Sequence, residues 1–179
     1  AMSDFVSDTN KDDFYILCGA AGTGKTSITT ALIGYLNAKA IHYKIAAPTG
    51  RAARILGRKS KTVNSTIHSL IYNTKPNPET GEVVFTLKEN SVKDFSVFII
   101  DEASMVSSTI NKEEGSLFSS KNSLLSDLIR FVKNGNPDNK IILLGDKNQL
   151  PPVNEEVSLV LTSKEIGYRY QLTKVERQA

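Results

Sequence analysis

Gly19-Ala20-Ala21-Gly22-Thr23-Gly24-Lys25-Thr26 decides how the rest of this chain is read. The octet has the G-x-x-x-x-G-K-[ST] spacing of a phosphate-binding loop. Its glycines let successive backbone N–H groups wrap an anion with no Cβ in the way. A helix that follows such a loop turns its unpaired N–H groups and the positive end of its dipole to the same anion. Lys25 adds a point charge for the outer phosphates. The Thr26 hydroxyl is placed to ligate magnesium. The surroundings argue against a chance glycine-rich turn. The apolar run Phe14–Cys18 precedes the loop, and Lys25–Leu36 follows with Ile28, Ala31, Leu32 and Tyr35 at helical spacing. A loop that binds nucleotide without hydrolysing it stays open as an alternative.

Outward from the loop, three more short apolar runs appear: Lys44–Ala47, Val97–Ile100 and Ile141–Leu144. They do not alternate polar with apolar, which is how strands buried on both faces read. A second helical pattern covers Leu124–Val132 and stops at Asn134-Gly135-Asn136-Pro137. Strands alternating with helices predict an α/β fold, a parallel sheet with helices on both faces. Tyr168–Leu172 reads as a last strand. Residues 1–13 are set aside as an N-terminal tail, and 14–179 form the domain. Two stretches look inserted: 73–94, with the alternating Val83, Phe85 and Leu87 of a peripheral hairpin, and 107–123, a Ser/Asn/Lys/Glu-rich loop.

The strand ends carry the chemistry, as in open α/β sheets generally. Val97–Ile100 runs into Asp101-Glu102. Asp101 suits magnesium, directly or through water. Glu102 points the other way along an extended segment and suits an attacking water. Two adjacent carboxylates after a buried strand are costly without a cation; the competing reading is a helix N-cap. Ile141–Leu144 leads into Gly145-Asp146-Lys147-Asn148-Gln149-Leu150-Pro151-Pro152-Val153. A Gln149 amide can donate to a phosphate and accept from water at once. Taken alone, this stretch reads as a turn, and Arg177 reads as a solvated surface arginine.

Arg51, Arg54, Arg58, Lys59 and Lys61 fall within eleven residues. In a helix opening at Gly50, the three arginines share one face. Ala52, Ala53, Ile55 and Leu56 are expected on the opposite, buried face. The stripe suits a phosphate backbone, with Thr49 and Thr66 adding hydroxyl contacts; the competing reading is a solvated face. Stacking aromatics are not evident; Tyr72 is the nearest, and a core position is its competing reading.

Composition sets the outer limits. The 179 residues are 40% apolar and 23% charged, which excludes disorder over the whole chain. Net charge is +3, too small to argue for nucleic acid by itself. The single cysteine, Cys18, excludes a disulfide framework and a cysteine zinc site and fits a reducing, cytoplasmic setting. No run is long enough for a membrane helix, and the first residues do not read as a secretory signal.

The set of motifs, in this order and spacing, resembles the first motor domain of superfamily 1 DNA helicases, in the RecD/Dda/TraI-type group that includes the exonuclease V alpha subunit. The resemblance runs from about Phe14 to Gln178. It implies a RecA-like P-loop fold with ATP held by Gly19, Ala20, Ala21, Gly22, Thr23, Gly24, Lys25 and Thr26. Asp101-Glu102-Ala103-Ser104-Met105 resembles the magnesium and water block, and Gly145–Val153 the block whose glutamine senses γ-phosphate. Val175-Glu176-Arg177-Gln178 resembles the block whose arginine contacts γ-phosphate, which makes Arg177 a candidate finger. Ala47-Pro48-Thr49-Gly50-Arg51-Ala52-Ala53 resembles the block that grips single-stranded DNA, and Thr66-Ile67-His68 the block that follows it. DNA contacts are therefore expected at Pro48, Thr49, Arg51, Arg54, Thr66 and His68.

The family's helix before the first strand, with its adenine-reading glutamine, has no counterpart in the polar Ser3–Asp13. The family also uses a second motor domain, so the resemblance implies a fragment that works with that domain and, in some relatives, with further nuclease–helicase subunits. A small P-loop nucleoside or nucleotide kinase is the rival enzyme; it leaves Gly145–Val153 unexplained and shows no arginine-rich lid. A nucleotide-binding scaffold is the rival without catalysis.

Overall fold

The computed structural model of the chain describes residues 2–7, 12–60, 65–78, 83–109, 122–152, 155–162 and 168–173. In chain order the elements are α1 (Met2–Val6), β1 (Phe14–Gly19), α2 (Lys25–Ala38), β2 (His42–Ala47), α3 (Gly50–Ser60) and β3 (Ser65–Thr66). They continue with α4 (Ile67–Ile71), β4 (Tyr72–Pro76), β5 (Val83–Leu87), β6 (Ser96–Ile100), a 3-10 turn at Ala103–Met105, α5 (Leu124–Gly135), β7 (Lys140–Gly145), α6 (Leu159–Thr162) and β8 (Tyr168–Leu172). Six strands form one sheet in the order β3-β2-β6-β7-β1-β8, every neighbouring pair parallel. The expected fold class, a P-loop α/β sheet of the RecA-like kind, is what the chain adopts.

The non-alternating strands have a direct cause. Successive side chains leave a strand on opposite faces, and here both faces are covered. Ile16, Cys18, Phe98, Ile100, Ile141 and Leu143 pack with Ile67 and Ile71 of α4 and with Leu128, Phe131 and Val132 of α5. Tyr15, Leu17, Val97, Ile99, Ile142 and Leu144 pack with Leu32, Ile33 and Leu36 of α2 and Leu56 of α3. Burying one such side chain stabilises the fold by about 1.5–3 kcal/mol, so a polar residue at any of these positions would be expensive.

Three expectations change. Residues 1–13 are not wholly a tail: Met2–Val6 is helical, and Phe5 (1% exposed) and Val6 (2%) join the second core cluster. Phe5 packs on Tyr15, with ring centroids 5.4 Å apart, and Lys140 Nζ lies 5.1 Å from its ring centre. Met2 packs against the same cluster, and the segment reads as polar because Ser3 and Asp4, between Met2 and Phe5, are exposed. Ile55 is not buried opposite the arginines but 44% exposed, because it faces a cleft rather than the core. The strands also extend beyond the apolar runs, β2 beginning at His42 and β7 at Lys140.

The hairpin expected within 73–94 is present as β4 paired antiparallel to β5, in register Tyr72↔Leu87 to Pro76↔Val83, outside the main sheet. Of the loop read over 107–123, residues 110–121 lie outside the described residues. Among the described residues, no helix is long and apolar enough to cross a membrane.

Candidate nucleotide site and DNA-facing surface

Strand β1 lies between β7 and β8, and its carboxyl end delivers the phosphate loop. Gly22 (φ 80°) and Gly24 (φ 87°) take left-handed backbone conformations that disfavour any other residue. At Gly19 the constraint is space: a Cβ would come within 2.4 Å of Thr23 Oγ1 and 3.0 Å of Leu172 Cβ. Thr23 is buried and donates its hydroxyl to Ala20 O (2.8 Å), closing the loop. Lys25 Nζ donates to the carbonyls of Gly19 and Ala20 and so lies across the loop's mouth. Helix α2 starts from Gly24 with no side-chain cap and no acid in its first turn. Its first N–H groups are thus offered outward, the arrangement that receives phosphate.

The loop opens into a cleft of about 830 Å³ lined by Lys25, Thr26, Asp101, Glu102, Gly145 and Gln149, with Ala52, Ile55 and Leu56 of α3 as its apolar wall. Residues from three strand ends and two helices, separated by more than 120 positions in sequence, meet there. Asp101 follows β6, and its N–H donates to Ala46 O of β2 (3.0 Å). Asp101 Oδ1 accepts from Glu102 N (2.9 Å). Glu102 has φ 51° and ψ 38°, unusual for a residue with a side chain. This bend departs from the extended geometry assumed in the sequence and is what turns the carboxylate toward the cleft.

Burial, and next the charge of Asp101, raise the Glu102 pKa; Arg51 opposes both. Arg51, expected on the DNA side, therefore also stands within electrostatic reach of the water block. Gln149 is exposed at the cleft, its N–H bonded to Asp146 O (3.1 Å). The donor set suits magnesium, which takes one or two carboxylates and keeps several waters: Asp101 and the Thr26 hydroxyl line the same cleft as the loop. Arg177 lies outside the described residues.

Thr49 Oγ1 accepts from Ala52 N (3.2 Å) at the start of α3. Arg51, Arg54 and Arg58 are all exposed along that helix. Arg54 Nε donates to Gly50 O (3.3 Å), which holds its side chain along the helix. The side chains of Lys59 and Lys61 lie outside the described residues. Thr66 caps α4, its Oγ1 accepting from Ser69 N (3.1 Å). Pro48 and Thr49 are half-buried at the end of β2, beside β3. His68 is half-buried, with its ring 5.7 Å from Tyr72 and 6.0 Å from Phe85, and burial lowers its pKa.

The sequence missed this aromatic group. Phe85 belongs to a strand 17 positions away, and only the hairpin brings its ring to the other two. Tyr72 is core rather than surface: it is 6% exposed and donates its hydroxyl to buried Asp127 Oδ2 (2.7 Å). Burial, then that hydrogen bond, pushes its pKa up.

The sequence model of the AAA domain family matches residues 3–155. The ATP-dependent RecD2 DNA helicase of Deinococcus radiodurans is 29% identical over 164 residues, covering 92% of this chain and 19% of that protein. The ATP-dependent DNA helicase dda of Enterobacteria phage T4 is 33% identical over 168 residues, covering 89% and 34%. The chain thus spans about a fifth to a third of the length of these relatives. A solved structure of the Pif1 helicase from Candida albicans shares the fold, with TM-score 0.57 and 24% identity, over 93% of this chain and 37% of that one. The family match takes in the phosphate loop, Asp101-Glu102 and Gln149 together, and the chain belongs to the AAA domain family as a superfamily 1 helicase motor domain of the RecD/Dda type.

Proposed function

We propose that this chain is the ATP-binding motor domain of an ATP-dependent DNA helicase or exonuclease V alpha-like subunit, coupling ATP hydrolysis to movement along single-stranded DNA. The observation that carries the reading is the convergence of Lys25, Thr26, Asp101, Glu102 and Gln149 on one cleft. A kinase needs phosphate and metal groups too, but it leaves Gln149 at the cleft without a role. The kinship to DNA helicases points the same way.

The loop N–H groups and α2 bind the phosphates, and Lys25 exchanges the carbonyls of Gly19 and Ala20 for phosphate oxygens. Thr26 and Asp101 would hold magnesium, which would offset the charge of the phosphates when bound. Glu102 orients the attacking water in the same cleft. Gln149 contacts the γ-phosphate or that water, and Arg177 completes the charge around it. Single-stranded DNA crosses Pro48, Thr49, Arg51, Arg54, Thr66 and His68. A second motor domain of the natural protein closes over the cleft, with further nuclease–helicase subunits joining in some assemblies. The setting is cytoplasmic.

The cationic contacts that the second motor domain would add are worth about as much as an arginine finger, 10³–10⁵ in rate, so this chain alone binds ATP and hydrolyses it slowly. Two measurements test the reading. Mg-ATP binding by calorimetry must be present and must weaken by about one to two orders of magnitude in Lys25→Ala. Binding of a fluorescent oligo(dT) must weaken with salt, and Arg51→Ala must shallow the log–log salt slope by about 0.7 for each phosphate contact removed. Rapid phosphate transfer to a small acceptor, independent of DNA, would overturn the reading in favour of a kinase.

A further inference from the structure

Glu155 belongs to none of the motif blocks, yet it is among the most heavily bonded carboxylates described. Its Oε1 lies 2.9 Å from Ser107 Oγ, 2.9 Å from Ser108 N, 3.3 Å from Thr109 N and 3.2 Å from Thr109 Oγ1. Its Oε2 lies 3.3 Å from Ser108 Oγ. The single Ser107 hydroxyl proton is shared with Thr109 O at 3.0 Å. Side chain and backbone donors 46 to 48 positions away thus converge on one half-buried group.

The two segments so joined leave the cleft from Glu102 and from Gln149. From Glu102, the 3-10 turn runs through Met105 N to Glu102 O (3.0 Å) and Val106 N to Ala103 O (3.2 Å). Ala103 and Val106 are fully buried, and Ser107 O accepts from Leu125 N (3.1 Å). From Gln149, Leu150 and Pro151 lead to Pro152, whose carbonyl accepts from Glu155 N (3.1 Å). Beyond Glu155, α6 returns Leu161 between the two strand ends. A Cβ on Gly145 would come within 2.5 Å of Leu161 Cδ1 and 3.3 Å of Ser104 N. The left-handed backbone at Glu102 is disfavoured for a residue with a side chain and persists only where its surroundings over-determine it. A fastening five residues downstream of Glu102 is one such restraint.

We propose that Glu155 is a positioning residue that fastens the segment leaving Asp101-Glu102 to the segment leaving Gln149, so that the two groups keep a fixed spacing across the cleft. The part of this that concerns ATP rests on the function proposed above; the fastening itself does not. The fastening needs acceptors, not charge. A glutamine keeps one oxygen for the four donors at Oε1, while its amide donates to the Ser108 hydroxyl, which can accept as readily as donate.

The test compares Glu155→Ala with Glu155→Gln by hydrogen exchange and by single-turnover ATP hydrolysis. In Glu155→Ala, amides of 101–109 and of 146–150 should exchange faster together, while Glu155→Gln stays near the parent. Turnover in Glu155→Ala should fall by about 10–100-fold, the cost of an ångström-scale misplacement, with ATP affinity unchanged. Ser107→Ala with Thr109→Val, which removes donors from the other side, should move both readouts the same way and covers the case of a poorly folded alanine variant. Loosening confined to 107–109, equal loosening in the glutamine variant, or parental turnover in Glu155→Ala would overturn the proposal. If the parent itself fails to hydrolyse ATP, the proposed function falls, and the exchange comparison still decides the fastening.

Discussion

Helices α2 and α5 cover opposite faces of the same sheet, and their amino ends are finished in opposite ways. At α5, Ser123 Oγ accepts from Ser126 N (3.2 Å), and Asp127 places a carboxylate in the first turn. At α2, Gly24 supplies no side chain, and the first turn holds no acid. One helix satisfies its own donors and its own dipole, while the other leaves both for an anion from outside. The difference lies in which segment precedes each helix, not in the apolar stripes, since both helices bury one. A structural terminus is closed by the chain; a binding terminus is left open by it.

Breaking the open end should have the greatest consequence. Lys25→Ala removes the cation that lies across the loop. Charge-assisted hydrogen bonds contribute about 1.5–3 kcal/mol, so ATP affinity measured by calorimetry should fall by one to two orders of magnitude, with the melting temperature little changed. Breaking the closed end should do the reverse. Ser123→Ala should cost about 1 kcal/mol of stability, or roughly 2–4 °C in melting temperature, and leave ATP affinity intact. Ser27→Asp would give α2 the acid it lacks; Ser27 is exposed beside the loop. The variant should gain about 0.3–1 kcal/mol in stability while binding ATP more weakly, because the helix then carries its own anion.

A smaller effect sharpens the electrostatic side of the comparison. Glu102 has its pKa raised by burial and by Asp101. The fold therefore holds the Glu102 proton more tightly than the unfolded chain does. That stabilisation is present below the ordinary glutamate range and is lost as pH rises through the raised value. Glu102→Gln should accordingly melt slightly higher than the parent at neutral pH, with the difference disappearing in acid. In a longer protein carrying the second motor domain, the same variant should retain ATP binding and lose DNA-stimulated turnover.

The runs in β1, β6 and β7 were legible because each is buried on both faces, while in β2 only Ile45–Ala47 is buried and the run opens on the exposed Lys44. The phosphate loop was legible because its contacts are local: one strand end, one turn and one helix start within eight residues. Gln149 and Asp101-Glu102 could be placed at strand ends from the runs before them. Ile55 and Phe5 were misread for one reason. A hydrophobic stripe says that a residue is apolar, not whether it meets the core or a cleft, nor whether a polar neighbourhood hides an inward-facing pair.

The order of the residues is enough to specify an α/β sheet, its phosphate loop and the acidic strand end, since all depend on contacts within a few positions. Strand order, the His68–Tyr72–Phe85 group, the Tyr72–Asp127 hydrogen bond across 55 positions and the Glu155 fastening are different in kind. They join segments that share no local periodicity. Their geometry is set when the helices and strands pack, because only burial against a common core brings such distant polar groups to bonding distance while shielding them from water.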